Sequence, residues 1–280
     1  MSSVWFITGS SRGLGRSLTT AVLAGGDLVA ATARRPGLLK DLATKYPGNI
    51  YPLQLDVTNN AQIIAAIENT IQHFGRIDVL VNNAGAGILG AAEAYSDEQV
   101  LSQLETNLYA PIAITRAVLP YMRRQGSGRI LQISSVGGRV GSPGLTIYQA
   151  AKFGLSGFSE ALAKEVRPLG ILVTSIEPGG FRTGMTASLP CAQEIAGYEK
   201  TVGTRITLFK NSNFSPAGTP DKAAEAIINL VKHPAPPVHL VLGSDAIYRI
   251  REANAERNEE MEKWLPVSVS TDAVSFTQTD

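Results

Sequence analysis

Tyr148 and Lys152 stand four residues apart in the run YQAAK. On a helix, that spacing sets two side chains one above the other on one face. An ammonium beside a phenol favours the phenolate and lowers a tyrosine pKa that is ordinarily about 10. Such a pair suits proton transfer, but it is equally an ordinary surface pair, and the pentapeptide is too short to decide.

A second stretch, TGSSRGLG from Thr8 to Gly15, places Gly9, Gly13 and Gly15 as G-x-x-x-G-x-G between an apolar run and a helix-like one. Glycines let the backbone turn sharply and approach a phosphate, and a helix N-terminus adds unpaired N–H groups and a positive dipole end. The other reading is a tight strand-to-helix turn with no ligand, because short motifs match falsely. A place on the first strand-to-helix turn of an alternating chain favours a dinucleotide.

These groups need a frame. Apolar runs at 4–8, 28–32, 50–57, 77–83, 129–135, 171–177 and 238–243 are short and rich in β-branched residues. Strands of a parallel sheet covered on both faces have this character. Amphipathic segments near 13–25, 37–46, 59–74, 97–125, 146–168 and 220–232 alternate with them. Asp97 with Glu98, and Thr219-Pro220-Asp221, give helix-start signals. The alternation predicts an α/β fold, a single-domain doubly wound parallel sheet of the Rossmann type with helices on both faces. Residues 184–219 break the rhythm after the sixth strand and are expected to form a lid over the carboxyl ends of the sheet. Residues 1–243, lid included, are expected to make the catalytic domain. Residues 244–280 are expected to add a helical extension with a mobile tail.

The chain has 280 residues, 44% of them hydrophobic, and a net charge of +1, so a large core is available. Near-neutral charge gives no electrostatic reason to expect nucleic acid or an acidic membrane surface. Cys191 is the single cysteine, so no internal disulfide forms and a reduced compartment fits. No apolar run reaches the roughly 20 residues that span a bilayer. The opening MSSVWFITG reads as a first strand rather than a signal peptide. A soluble, cytoplasmic protein is expected. His73, His233 and His239 show no ligand spacing, so no metal is expected. Cys191, in the lid, has no base partner in the sequence and reads as a small apolar filler.

The glycine loop is followed by LDV with Asp56, NNAG at 82–85, Asn107 in ETNLYA, ISSVGG at 133–138, YQAAK at 148–152 and PGGFRT at 178–183. In this order and at these intervals the chain resembles the short-chain dehydrogenases/reductases, well over residues 4–183 and loosely over 220–243. ATARRP and LGSDAIYRI look like the longer, steroid- or retinol-dehydrogenase-like branch.

The resemblance implies an oxidoreductase that interconverts a carbonyl and a secondary alcohol with a nicotinamide cofactor. It makes Tyr148 the general acid or base, its pKa lowered by Lys152, which also binds ribose. Ser135 would hydrogen-bond the substrate oxygen, favoured over Ser134 by its place before VGG and its interval to Tyr148. Either serine could instead cap a strand end. Asn107 would hold a water joined to Lys152, or be a helix-surface asparagine. Thr8, Gly9, Ser11, Arg12, Gly13, Leu14 and Gly15 would form the cofactor loop. Asp56 would accept from the adenine amino group with Val57 beside it, unless Asp56 caps the helix starting near Asn59. Asn82, Asn83, Ala84 and Gly85 would line the adenine-ribose side. Pro178 and Gly179 would approach the nicotinamide, and Phe181 and Thr183 its carboxamide. Val136, Arg139, Leu145, Gly180 and Met185 are candidates for the substrate side. They are mostly apolar, which suggests a hydrophobic ketone or alcohol.

Members that prefer NAD carry an acid at the end of the second strand. Here Ala33 stands there, followed by Arg34 and Arg35. Arginine binds a 2′-phosphate through charge-assisted hydrogen bonds, and Arg12 could join it, so NADP(H) is expected. Solvated strand-end charges are the plain alternative. Two other functions fit the same motifs: a catalytically silent nucleotide sensor, and a biosynthetic enzyme performing imine reduction or epimerisation. A homodimer or homotetramer is expected through the helices at 97–125 and 146–168.

Overall fold

The computed structural model describes residues 2–183, 188–211 and 216–273. Among them one seven-stranded sheet runs in the order β3-β2-β1-β4-β5-β6-β7, every pair parallel. The strands are β1 (Val4–Ile7), β2 (Leu28–Ala33), β3 (Ile50–Gln54), β4 (Val79–Asn82), β5 (Gly128–Ile133), β6 (Ile171–Pro178) and β7 (His239–Leu242). The chain runs outward from β1 to β3, then returns to build β4 on the other side of β1. The carboxyl ends of β1 and β4 therefore flank the crevice where such sheets take ligands.

The strands are mostly apolar because both faces are covered, with Thr32, Asn82, Gln132, Thr174, Ser175 and Glu177 among the buried polar exceptions. Trp5 and Ile7 of β1 face a core with Val29, Val81, Leu131 and Ile176, closed by α1 (Gly13–Ala24) and α8 (Pro220–Lys232). Phe6 points the other way, in register with Ala30 and Leu80. It joins Ile67, Ile114, Val118 and Leu162 from α3 (Asn60–Phe74), α5 (Ala110–Gln125) and α6 (Thr146–Val166). Helices thus lie on both faces, as the alternation predicts.

Local chemistry sets the boundaries. Asn59 caps α3, its side chain accepting from Gln62 N, and left-handed Gly75 ends it. β3 stops at Gln54, short of the expected 57, because Asp56 turns the chain by accepting from Thr58 N at 3.0 Å. The segment at 37–46 is a 3₁₀ turn over Pro36–Leu39 followed by the short α2 (Lys40–Lys45). α4 (Asp97–Leu104) starts from a Ser96–Gln99 capping box, with Asp97 and Glu98 in its first turn. It does not run unbroken into α5: a π segment, Glu105–Tyr109, intervenes. Such bulges re-aim side chains, and this one carries Asn107.

Beyond β6 the lid contains α7 (Thr204–Lys210), entered through a π turn over Glu199–Gly203. Parts of the expected lid, including Met185, lie outside the described residues. α9 (Ser244–Val269) buries only Ala246, Ile250 and Ala253. Among the described residues no helix is long and apolar enough to cross a membrane.

Candidate functional site

The glycine loop leaves β1 at the crevice. Thr8 anchors it: its N–H donates to Val81 O at 3.0 Å, and its hydroxyl accepts from Asn83 N and Ala84 N at 2.9 and 3.0 Å. The Asn83 amide donates to the Thr8 and Gly9 carbonyls at 2.9 and 3.2 Å. Gly9 and Gly13 have φ of 70° and 56°, a region side chains rarely enter. A Cβ on Gly15 would run into the Asn83 amide and the Gly9 carbonyl. A Cβ on Gly13 would lie 3.5 Å from Thr183 Cβ, so Thr183 overhangs the loop from the far side.

The first turn of α1 has neither a side-chain cap nor an acid. Its leading N–H groups thus offer an anion site. Arg12, Arg34 and Arg35 are exposed around it, and none forms an ion pair with a described residue. Ala33 is buried at the end of β2. The Asp56 carboxyl sits below the usual carboxylate range, chiefly through its bonds to Thr58 and least through the Arg34 charge. It does not cap α3; Asn59 does. Val57 packs partly against the α3–α5 side of the core.

NNAG divides. Asn82 is buried beneath the crevice, donating to Thr115 Oγ1 and Gln132 Oε1, both at 3.0 Å, so its amide braces the sheet and does not face the adenine-ribose side. Asn83 holds the glycine loop. Gly85 lies where a Cβ would come 3.1 Å from Asn107 Oδ1 and 3.9 Å from Lys152 Nζ.

Around the half-buried Tyr148 the polar groups are interlocked, most of them buried. Asn107 is fully buried, which removes the helix-surface alternative. Its amide donates to Ala86 O and Gln103 O at 2.7 and 2.8 Å and accepts from Ala86 N at 3.1 Å. The two serines separate clearly. Ser134 is buried against α6, bonded to Ser156 Oγ at 3.0 Å and Lys152 O at 3.2 Å. Ser135 is partly exposed, accepts from Gly137 N at 3.0 Å and hydrogen-bonds Tyr148. Lys152 is 4% exposed, donates to Ile133 O at 2.8 Å and lies 5.8 Å from the Tyr148 ring centre.

Burial overturns one electrostatic expectation. It pushes the Tyr148 phenol above its ordinary 10.0, with the Ser135 bond pulling the other way. It also brings Lys152 from 10.5 down to about 8. Desolvation favours the neutral form of both groups, so Lys152 alone does not make Tyr148 acidic.

The substrate-side candidates scatter. Val136 is buried against Ala246 and Ile250 of α9. Arg139 Nη1 is committed to Glu177 Oε2 at 3.2 Å, a carboxylate with no exposure. Leu145 is partly exposed at the start of α6. Gly180 N donates to Asp245 Oδ2 at 2.9 Å. Pro178 ends β6, and Phe181 pairs with Gly218 across the lid base. Cys191 is exposed rather than a filler; the lid pairs there with Leu89, Ala192 N donating to Leu89 O at 2.7 Å.

Several contributors escape motif reading. Gln103 is buried one turn before Asn107, and its Oε1 accepts from Ile88 N at 2.9 Å. Tyr95 donates to Ile88 O at 2.9 Å, and burial raises its phenol to about 12. A Cβ on Gly87 would lie 3.2 Å from Leu189 and 3.5 Å from Tyr148, so Leu189 of the lid flanks the phenol. Only the i, i+4 spacing of Gln103 and Asn107 was a usable signal.

The family model for short chain dehydrogenases matches residues 3–194. Oxidoreductase BOA17 of Botryotinia fuckeliana (strain B05.10) is 40% identical over 275 residues, covering 97% of this chain and all of its own. A solved short-chain dehydrogenase from Streptomyces avermitilis superposes with a TM-score of 0.91 at 38% identity, covering 97% of this chain and 100% of that one. The closed form of serine dehydrogenase, solved with NADP+, matches with a TM-score of 0.75 at 28% identity over 85% of this chain and 94% of its own. The chain belongs to the short-chain dehydrogenase/reductase family and is an oxidoreductase with a Rossmann nucleotide-binding fold.

Proposed function

We propose that this protein is an NADP(H)-dependent oxidoreductase that interconverts a carbonyl and a secondary alcohol on a small hydrophobic molecule. One observation carries the proposal: Ser135 and Lys152 lie beside Tyr148, and Asn107 reaches the same place as Lys152 next to Gly85.

The cofactor supplies the hydride in reduction and takes it in oxidation. Tyr148 gives the carbonyl oxygen its proton, or removes it from the alcohol in reverse. Ser135, already bonded to Tyr148, orients the same oxygen. Lys152 keeps Tyr148 and the ribose in place, and a further positive charge beside the phenol lowers its pKa again. Asn107, with Gly85 leaving it room beside Lys152, starts the path that returns a proton to solvent. The pyrophosphate fits the uncapped start of α1, and the 2′-phosphate fits Arg12, Arg34 and Arg35. Asp56 and Val57 fit the adenine, Pro178, Gly179, Phe181 and Thr183 the nicotinamide end. Leu145, Gly180 and Leu189 are the substrate wall.

On this proposal residues 1–243 are the catalytic unit and 244–280 an extension, in a cytoplasmic protein. The exposed Leu101, Tyr109 and Phe153 on α4 to α6 support pairing of two copies along that face. Light scattering at micromolar concentration is expected to show a dimer or tetramer, and a monomer would count against it. The reaction is tested by nicotinamide absorbance with NADPH and NADH against ketones, aldehydes and alcohols. Turnover of a hydrophobic carbonyl with NADPH preferred is expected; no turnover of any carbonyl would favour a sensor.

A further inference from the structure

We propose, resting on the nicotinamide role given above to residues 178–181, that Asp245 positions that loop. α9 is then the frame holding it at a fixed separation from the Ser135 turn. β6 and β7 end together, and Gly179 N donates to Leu242 O at 2.8 Å, one rung past the ladder. The next N–H, that of Gly180, has no strand to meet. Asp245 Oδ2 accepts it at 2.9 Å, across 65 residues of sequence.

Two glycines make room for this carboxylate. A Cβ on Gly179 would collide with Asp245 Oδ1, and one on Gly243 would stand 2.6 Å from the same oxygen. Gly243 also has φ of 106°. An acid in the first turn of a helix is ordinarily explained by the helix dipole. The bond to Gly180 gives this one a second task.

The same helix grips the other loop. Ala246 and Ile250 pack on Val136 and Val140, immediately after Ser135. Arg249 Nη2 donates to Ser142 Oγ at 2.8 Å, and Arg257 Nη2 to Arg139 O at 2.6 Å. Arg139 in turn reaches Glu177, one residue before Pro178. The turn that presents Ser135 and the loop that approaches the nicotinamide are therefore fastened to one rigid element. Hydride transfer depends on their mutual placement, and a misplacement of about 1 Å from outside the reacting groups costs up to about 10²-fold.

The test uses the full chain as Asp245→Ala and Asp245→Asn. Calorimetry measures affinity for NADPH, NADH and 2′-phospho-ADP-ribose, which is NADP without its nicotinamide. Kinetics give kcat and KM, and thermal melting gives Tm. Asp245→Ala is expected to lower kcat by about tenfold or more and to weaken NADPH, while the fragment binds as in the parent. Asp245→Asn, which keeps an oxygen acceptor for Gly180 N–H, is expected to recover most of the loss. Parent-like kcat and NADPH affinity in Asp245→Ala would overturn the proposal. So would equal weakening of NADPH and the fragment together with a lowered Tm, the mark of a merely structural role. A parent that binds neither dinucleotide overturns the nicotinamide reading itself, and this one with it.

Discussion

The two halves of the crevice are built by different means. Around β1 to β3 the surface is backbone and exposed charge: left-handed glycines, an uncapped helix start and three exposed arginines. Around α6 it is buried side chains, with Lys152 4% exposed, Asn107 fully buried and Tyr148 pushed up by desolvation. On the proposed function, the difference follows from what each half would have to do. Holding a phosphate takes shape and N–H groups, which glycine and a helix end supply. Moving a proton takes groups whose protonation is poised, which needs burial, and buried polar groups are costly unless bonded. Each member of the α6 half is therefore tied to a carbonyl, a hydroxyl or a neighbour.

Variants can test this contrast. Lys152→Ala strikes both halves, since it removes the partner of Tyr148 and, on the proposal, of the ribose. Steady-state kinetics are expected to show kcat down by about 10²-fold and a raised KM for NADPH; a change in KM alone would assign Lys152 to the binding half. Ala33→Asp/Arg34→Ala touches only the binding half. The parent ratio of kcat/KM for NADPH over NADH is expected to be well above one. It should collapse or invert in the variant, because a charged hydrogen bond is worth about 1.5–3 kcal/mol, or roughly ten- to a hundredfold. A parent that prefers NADH would sink that assignment. Gly15→Ala forces a methyl against the Asn83 amide and the Gly9 carbonyl. Denaturant titration is expected to show a loss of about 1–3 kcal/mol.

The smallest effect is in the pH dependence of stability. Lys152 is at about 8 in the fold and ordinarily at 10.5. Between those values the unfolded chain holds the extra proton, so this group makes the fold more stable as pH rises through the window. The raised Tyr148 acts oppositely above about 10, where the unfolded phenol ionises first. Lys152→Met is expected to flatten the rise between pH 8 and 10; an unchanged slope would mean that Lys152 is not desolvated.

The binding half was the more legible in sequence. G-x-x-x-G-x-G survives translation into structure because glycine has few reasons to recur at such spacing other than backbone geometry. The sheet was legible too, because strands covered on both faces are mostly apolar, as VWFI in β1 is. The α6 half was only half legible. Tyr148, Lys152, Ser135 and Asn107 stood out through the resemblance, but the residue pattern alone left Asn107 open to a helix-surface reading because a 3.6-residue period cannot reveal a π bulge. Leu189 and Asp245 left no local trace, since their partners Gly87 and Gly180 lie 65 residues away or more. The partners of Val136 and Arg139 were hidden for the same reason: they sit on α9 and β6, far along the chain. Electrostatics was the least legible layer, because the sign of the Tyr148 shift depends on burial that spacing does not encode.

The central claim is that Tyr148 handles the carbonyl proton while the other half of the crevice only binds. Tyr148→Phe tests it most directly, with kcat measured on any carbonyl the parent reduces and NADPH affinity measured by calorimetry on the same preparation. The account expects kcat to fall by about 10²–10⁴-fold with NADPH affinity unchanged. Near-parent kcat in Tyr148→Phe would contradict it.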